Sequence, residues 1–151
     1  MTQRLEILQI NLGKSRAASN QLEQLCNDID PSFVCIQEPY VLEDKIAGLP
    51  LKYTLIASTS PKCAIVIREK CCTIFPLLVK QNIVAIQCSY KNMIIVIINV
   101  YIPPFSDFDN ILCELDGILK NQQGTDVIMT GDFNAKNKIW GEILMTTGEN
   151  N

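Results

Sequence analysis

Asp126-Val127-Ile128-Met129-Thr130-Gly131-Asp132-Phe133-Asn134 is the stretch around which the rest of the chain can be interpreted. Its apolar first half predicts a buried strand, and Gly131 is expected to permit a tight turn. In an extended segment, alternation puts Asp132 and Asn134 on one side and Phe133 on the other. A carboxylate and a carboxamide at the carboxyl end of a strand lie where open α/β sheets usually place their chemistry.

The composition predicts one globular domain spanning residues 1–151. The chain is 48% hydrophobic, which excludes a disordered chain, and its length allows a sizeable core. Its longest apolar run, Met93 to Ile98, is far shorter than the ~18 residues of a membrane span. The N-terminus has no signal-peptide pattern, so we expect an intracellular protein without a membrane partner. The net charge of −3 does not indicate nucleic-acid binding, although a local basic patch is compatible with it.

The cysteine and histidine counts exclude several kinds of site. The chain has seven cysteines, none in Cys-x-x-Cys spacing, and no histidine, which argues against a zinc site. Most of the cysteines lie in or beside apolar runs, where a free thiol behaves as a small hydrophobe. Without histidine, Ser-His-Asp and Cys-His catalysis are also excluded.

The apolar periodicity predicts strands, two helices and a loop. We expect strands at 5–11 and 33–37, a helix at 15–28, a loop at 41–50, and a second helix from Phe108 to about Asn121 whose start resembles a capping box at Ser106–Asp109. Five further strands at 53–58, 64–68, 73–79, 83–89 and 93–101 indicate an antiparallel meander. Pro76 makes the third of these an edge strand or a bulged one.

Four predicted strand ends carry polar side chains that would suit a cation site. They are Asn11, Glu38, Tyr101 and the pair Asp132 and Asn134. If the strands are neighbours, these carboxylates and carboxamides converge, and such oxygen donors suit Mg²⁺ or Mn²⁺. The pattern therefore suggests metal-assisted phosphoester cleavage.

Each of these residues also has an ordinary structural interpretation. Asn11 can be a turn residue, Glu38 a solvated loop charge and Tyr101 a core aromatic, while Asp132 and Asn134 can cap a following helix.

The order of the motifs resembles that of the endonuclease/exonuclease/phosphatase superfamily. The matching segments are Gln9-Ile10-Asn11, Gln37-Glu38-Pro39-Tyr40, Asn99-Val100-Tyr101-Ile102-Pro103-Pro104 and Gly131-Asp132-Phe133-Asn134-Ala135. The stretch from Leu8 to Ala18 and the later Trp140-Gly141 are similar to one branch, the apurinic-type endonuclease domains of insect non-LTR retrotransposons.

This resemblance implies an α/β (α+β) fold: a four-layer α/β/β/α sandwich of two packed mixed sheets. It also implies roles for the candidate residues. Glu38 would be the main ligand of Mg²⁺ or Mn²⁺, with Asn11 and Asp132 beside it. Tyr101 would contact the phosphate, Asp132 would orient or deprotonate the attacking water, and Asn134 would stabilise charge on the phosphorus.

The sequence departs from the family pattern after Asn134. The family continues with further strands and a Ser-Asp-His motif, so the chain resembles the N-terminal two-thirds of the domain. We therefore expect a retrotransposon DNA endonuclease domain that nicks double-stranded target DNA and is nuclear if functional. We expect this truncated chain itself to have impaired activity or none. The alternative is a non-catalytic remnant that keeps the fold. A phosphoinositide or sphingolipid phosphodiesterase is a weaker alternative.

Overall fold

The computed structural model describes residues 4–68, 70, 72–104 and 108–134. Within these residues the elements follow in the order β1 (Ile7–Asn11), α1 (Arg16–Ile29), β2 (Phe33–Gln37), β3 (Val41–Leu42), β4 (Lys45–Ile46), β5 (Thr54–Ala57), β6 (Cys63–Ile67), β7 (Thr73–Val79), β8 (Ile83–Tyr90), β9 (Met93–Tyr101), α2 (Phe108–Asn121) and β10 (Asp126–Asp132).

Two four-stranded mixed sheets form the body of the fold. The first has the order β1-β2-β6-β5, and the second has the order β10-β9-β8-β7. Each sheet has one parallel pair at the same side of the molecule, β1 with β2 and β10 with β9. The remaining pairs of both sheets are antiparallel.

Three apolar clusters define the four layers. The central cluster lies between the sheets and includes Phe33, Ile65, Ile86 and Ile97. Leu22 and Cys26 of α1 pack on the outer face of the first sheet, and the buried face of α2 packs on the outer face of the second. Both faces of the central strands β2, β6 and β8 are therefore covered, because alternate side chains enter opposite clusters. The predicted α/β/β/α sandwich is confirmed. The prediction that the stretch from Asp126 begins as a buried strand was wrong, because β10 is an outer strand whose Ile128 and Met129 are each 37% exposed.

Helix α1 begins where local chemistry favours a helix start. The Ser15 hydroxyl accepts a hydrogen bond from the Ala18 backbone N–H at 3.1 Å, as an N-cap does. The helix ends at Asp30, whose left-handed φ of 55° ends the helical geometry. Residues 105–107, which include the first two positions of the predicted capping box of α2, lie outside the described residues, as does the predicted turn after Asn134.

The meander prediction was wrong in one respect. Strands β5 and β6 pair in the first sheet, whereas β7, β8 and β9 form an antiparallel run in the second. The outer strand β7 carries a register shift between Pro76 and Leu78, as Pro76 predicted. The loop predicted at 41–50 contains the short hairpin β3–β4. Its strands of two residues are too short to produce a periodicity.

The expectation for Gly131 was also wrong. Gly131 lies inside β10 rather than at a turn. A Cβ at this position would stand 2.5 Å from the carbonyl oxygen of Val100, on the neighbouring strand β9. The residue is therefore needed for the close approach of two backbones, not for a turn conformation.

Most of the cysteines among the described residues are buried thiols. Cys26, Cys35, Cys63 and Cys88 are buried, as expected for small apolar side chains, whereas Cys113 is exposed. Burial raises the pKa of the Cys35 thiol to about 11 and that of Cys63 to about 12, so neither is a thiolate near neutral pH. None of the described helices is long and apolar enough to cross a membrane.

Candidate active site

The parallel pairs bring four strand ends to one place. In the first sheet, Asn11 at the end of β1 is in register with Gln37, which directly precedes Glu38. In the second sheet, Asp132 at the end of β10 is in register with Tyr101 at the end of β9. Because both pairs are parallel and the sheets are stacked, these carboxyl ends meet at one rim of the sandwich.

Asn11 bridges the two sheets at this rim. Its side-chain nitrogen Nδ2 donates to Glu38 Oε1 at 3.2 Å and to Asp132 Oδ2 at 3.0 Å. Its oxygen Oδ1 accepts a hydrogen bond from the Gly13 backbone N–H at 2.8 Å, which fixes the orientation of the amide. One amide group thus lies between two carboxylates from different sheets.

Glu38 and Asn134 are held by a left-handed backbone. Their φ values are 48° and 40°, a region that non-glycine residues rarely adopt. Such strain persists where surrounding contacts enforce it, and it is concentrated at functional sites. At Glu38, the backbone N–H donates to Lys62 O at 2.9 Å and the carbonyl accepts from Lys14 N at 2.8 Å. These two bonds hold the backbone of Glu38, which lies between the end of β2 and Pro39.

Asn134 reaches the site through a turn rather than by strand alternation. The strand ends at Asp132, and Phe133 packs against the cluster between the second sheet and α2. The Asn134 backbone N–H then donates to Asp132 Oδ1 at 3.3 Å, and its side-chain nitrogen donates to Ile102 O at 3.1 Å. Asn134 therefore helps to fix one oxygen of Asp132, while Asn11 holds the other.

Tyr101 is the buried member of the site. It is 7% exposed, and its hydroxyl hydrogen-bonds the Glu38 carboxylate. Burial, as the largest cause, together with the hydrogen bond to Glu38 and the negative charges of Glu38 and Asp132, raises the pKa of Tyr101 to about 12. The phenol is therefore a neutral hydrogen-bond donor throughout the physiological pH range.

A layer of polar side chains lies directly beneath these residues, and its members Gln37 and Asn99 are fully buried. Gln9, Asn99 and Thr130 each precede a site residue by two positions on the same strand face, and Gln37 directly precedes Glu38. The Asn99 amide donates to the backbone oxygens of Ile36 and Ala64, at 2.9 Å each. This layer, formed by Gln9, Gln37, Asn99 and Thr130, separates the apolar core from the site.

The sequence analysis missed this layer as a group, although a signal for it was present. Gln37 and Asn99 are fully buried, and both lie at inward positions of otherwise apolar strands. A polar residue at such a position requires a buried partner. Two of them on strands from different sheets predict a cross-sheet hydrogen bond.

One cleft opens at the site, and a second cleft adjoins it. The first, of about 450 Å³, is lined by Lys14, Glu38, Tyr40, Lys62 and Tyr101, among others. The second, of about 790 Å³, shares Lys62 and Pro103 with it and extends to Lys80, Gln81 and Asn82. A third cleft, of about 720 Å³, lies at the opposite end of the strands, around Arg68 and Tyr53.

The donor set of the site suits a hard cation better than a soft one. Within the described residues, no three side chains of the His, Cys, Asp or Glu types are grouped as a metal site. The two carboxylates Glu38 and Asp132, with a carboxamide between them, provide oxygen donors only, as Mg²⁺ and Mn²⁺ prefer. Asn11 can join them through oxygen only if its amide turns over, since Oδ1 now faces Gly13.

Residues 95–150 match the family model of endonuclease-reverse transcriptase. This segment contains β9 from its third residue onward, α2 and β10, and hence Tyr101, Asp132 and Asn134 of the site. A search of curated proteins finds no sequence match.

Among solved structures, the endonuclease domain of TRAS1, a telomere-specific non-LTR retrotransposon, is similar over 97% of this chain and 70% of that domain, with 22% identity and a TM-score of 0.77. The D. rerio TDP2 complexed with a single-strand DNA product is similar over 92% of this chain and 64% of that chain, with 15% identity and a TM-score of 0.66. The human Nocturnin catalytic domain with a bound sulfate anion is similar over 95% of this chain and 69% of the Nocturnin chain, with 15% identity and a TM-score of 0.60. The fold is thus that of the endonuclease/exonuclease/phosphatase superfamily, and the resemblance to its retrotransposon endonucleases is confirmed.

Proposed function

From the fold and the sequence match that the chain shares with this superfamily, we propose that it is a divalent-metal-dependent phosphodiesterase domain that nicks DNA, of the retrotransposon endonuclease type. The observation that carries the proposal is the cross-sheet contact of Asn11 with both Glu38 and Asp132. Glu38 and Asp132 follow Asn11 by 27 and 121 positions in the chain, and the three side chains meet at one point of the rim.

Glu38 and Asp132 would hold Mg²⁺ or Mn²⁺, joined by Asn11 after rotation of its amide. A bound ion would polarise a phosphoryl oxygen and stabilise the leaving oxyanion. The residues present fit this ion because two carboxylate oxygens already lie within 3.2 Å of one shared atom, Asn11 Nδ2. A cation in place of the Asn11 amide hydrogens would offset the negative charges of Glu38 and Asp132.

The remaining residues would act on the phosphate and on water. Tyr101 would donate its hydroxyl hydrogen to a phosphate oxygen, since its high pKa keeps the phenol protonated. Asp132, held through Asn11 and Asn134, would orient the attacking water or accept its proton. Asn134 would stabilise charge that develops on the phosphorus centre, with its amide redirected from Ile102 O.

The lysines of the two adjoining clefts support a nucleic-acid substrate. Lys14 and Lys62 line the cleft that contains Glu38 and Tyr101, and Lys62 and Lys80 line the next one. This places positive charge beside the site in a chain whose net charge is −3. Phosphates next to the scissile bond would be neutralised there. A DNA target further implies a nuclear location.

A nicking assay on supercoiled plasmid with Mg²⁺ tests the proposal. Wild type is compared with Glu38→Gln and with Glu43→Gln as a matched control. Glu43 is an exposed loop glutamate that shares the left-handed backbone of Glu38, with a φ of 50° against 48°. We expect Glu38→Gln to lose about 10²-fold or more of the nicking rate, and Glu43→Gln to keep it. Nicking by wild type that Glu38→Gln retains would refute the proposed site.

A non-catalytic domain that keeps the fold is the second candidate. It is favoured by the orientation of Asn11, whose nitrogen rather than its oxygen faces Glu38 and Asp132, so that hydrogen bonds alone hold the two carboxylates together. This candidate predicts Mn²⁺ binding without nicking, whereas the first predicts both.

A further inference from the structure

We propose that Asn99 and Thr130 are positioning residues, whose side-chain network joins the two sheets and thereby holds Asp132 and Tyr101 against Asn11 and Glu38. The inference rests on the proposed function, because it concerns the geometry of the same site. It assigns a role to side chains that touch neither substrate nor metal.

Asn99 uses its full hydrogen-bonding capacity across the sheet interface. It lies on β9 of the second sheet and is 0% exposed. Its nitrogen donates to Ile36 O on β2 and to Ala64 O on β6, both in the first sheet. Its oxygen accepts from Gln37 Nε2 of the first sheet and from Thr130 Oγ1 at 3.2 Å on β10. An amide has two donor hydrogens and two acceptor positions, so none is left over.

Thr130 extends the same network to the outer strand of its sheet. Its hydroxyl lies 3.2 Å from Asn99 Oδ1 and 3.3 Å from Ile98 O. A second connection runs from Gln9 on β1, whose nitrogen donates to Gly131 O on β10 at 3.1 Å and to Gln37 Oε1 at 3.4 Å. The four strands that carry the site are therefore joined by directional bonds rather than by apolar contact alone.

The position of the network within the strands explains why it would control the site. Asn99 precedes Tyr101 by two residues, and Thr130 precedes Asp132 by two, so each lies one repeat below a site residue on the same strand face. Apolar contacts allow sheets to slide by fractions of an ångström, whereas hydrogen bonds fix direction and distance. Groups that hold metal-binding side chains in place affect metal affinity strongly even without touching the ion.

Variants at position 130 separate positioning from ordinary packing. Thr130→Val keeps the shape and removes the hydroxyl, whereas Thr130→Ser keeps the hydroxyl and removes the methyl group. Ile97→Val is the matched control, because Ile97 is 0% exposed on β9 and faces the same inter-sheet core, one repeat further from the site. Asn99→Leu is the stronger variant, and Thr130→Val serves where Asn99→Leu does not fold.

The measurements are the Mn²⁺ dissociation constant and, with Mg²⁺, kcat and KM for plasmid nicking, at a temperature where urea titration shows each variant folded. We expect Thr130→Val and Asn99→Leu to weaken Mn²⁺ binding by about 10-fold, as for other supporting groups, and to lower kcat with KM unchanged. Thr130→Ser and Ile97→Val should stay within about twofold of wild type.

Each outcome bears on one of the two proposals. If wild type binds Mn²⁺ and Thr130→Val binds it equally well, the positioning role is wrong while the proposed function stands. Equal losses in Thr130→Val, Thr130→Ser and Ile97→Val would show a general effect of destabilisation and would also overturn it. If wild type neither binds Mn²⁺ nor nicks DNA, the proposed function fails, and the inference fails with it.

Discussion

The side-chain nitrogen of Asn11 lies 3.0 Å from Asp132 Oδ2, although 121 positions separate the two residues in the chain. The contact joins the outer strands β1 and β10 of two different sheets. Its existence depends on both sheets having their parallel pairs on the same side of the molecule. Since Asn11 also donates to Glu38, a single amide holds together the two carboxylates of the candidate site.

Replacing Asn11 by aspartate should reveal the charge balance of the site. Asn11→Asp substitutes a third carboxylate for a hydrogen-bond donor and brings like charges within contact distance of Glu38 and Asp132. We expect a loss of ~1–2 kcal/mol in the free energy of unfolding at neutral pH, measured by urea denaturation. Mutual repulsion favours protonated carboxyls in the folded state, so this loss should shrink as the pH falls to about 4.

The matched control for this change is Asn20→Asp, on the exposed surface of α1. It adds the same charge without a neighbouring carboxylate pair, and we expect little change in stability. Added Mn²⁺ should restore the stability of Asn11→Asp more than that of wild type. A deficit that is independent of both pH and Mn²⁺ would contradict the described arrangement.

The Tyr101 hydroxyl should titrate at a higher pH than that of an ordinary tyrosine. Its folded pKa of about 12 lies above the ordinary value of 10.0, so it contributes stability that is complete below pH 10.0 and is lost as the pH rises toward 12. The absorbance of tyrosinate, wild type minus Tyr101→Phe, measures its titration directly. Glu38→Gln should lower the midpoint but leave it above 10.0, because burial is the largest cause. A difference titration centred at 10.0 in wild type would contradict the described burial.

Gly131 and Gly117 should respond in opposite directions to alanine. A Cβ at position 131 would approach Val100 O to 2.5 Å, so Gly131→Ala must separate β10 from β9 beside Asp132. We expect it to be destabilised by ~1–3 kcal/mol, with weaker Mn²⁺ binding. Gly117, inside α2, meets nothing within 4 Å, and Gly117→Ala should gain ~0.5–1 kcal/mol from helix propensity. Urea denaturation measures both, and equal effects would refute the close-approach argument.

Reversing the charge of Lys62 should weaken DNA binding in a salt-dependent way. Lys62 is shared by the two adjoining clefts, whereas Lys91 lies in the turn between β8 and β9, at the far end of the strand that carries Tyr101. We expect Lys62→Glu to reduce the slope of log affinity against log salt by about 1, as for one lost phosphate contact. Lys91→Glu should leave this slope unchanged. The same slope in both variants would argue against DNA binding at the clefts that Lys62 lines.

Much of the fold could be predicted because its strands carry strong local signals. The bounds of β2, β7, β9 and α2 agree with the predicted ones, since continuous apolar runs and helical spacing end at clear breakers such as Pro39 and Gly124. The division of the meander between two sheets could not be predicted. Strand β6 pairs with β2, more than 25 residues earlier, and no local pattern specifies a distant partner.

The convergence of the candidate site residues could be predicted from the sequence, but the side chains that support them could not. Asn11, Glu38, Tyr101 and Asp132 stand out because each is a polar or phenolic group at the end of an apolar strand. The roles of Asn99 and Thr130 depend on which strands face each other across the sheets. The reason for Gly131 depends on the distance to a neighbouring backbone, which only the three-dimensional structure provides.

The proposed function requires that Glu38 and Asp132 together bind a divalent cation beside Tyr101. Electron paramagnetic resonance of Mn²⁺ titrated into the protein tests this most directly, because bound and free ions give different signals. We expect one binding site per chain in wild type and in Glu43→Gln, and loss of that site in both Glu38→Gln and Asp132→Asn. Mn²⁺ binding that survives both substitutions, or none in wild type, would contradict it.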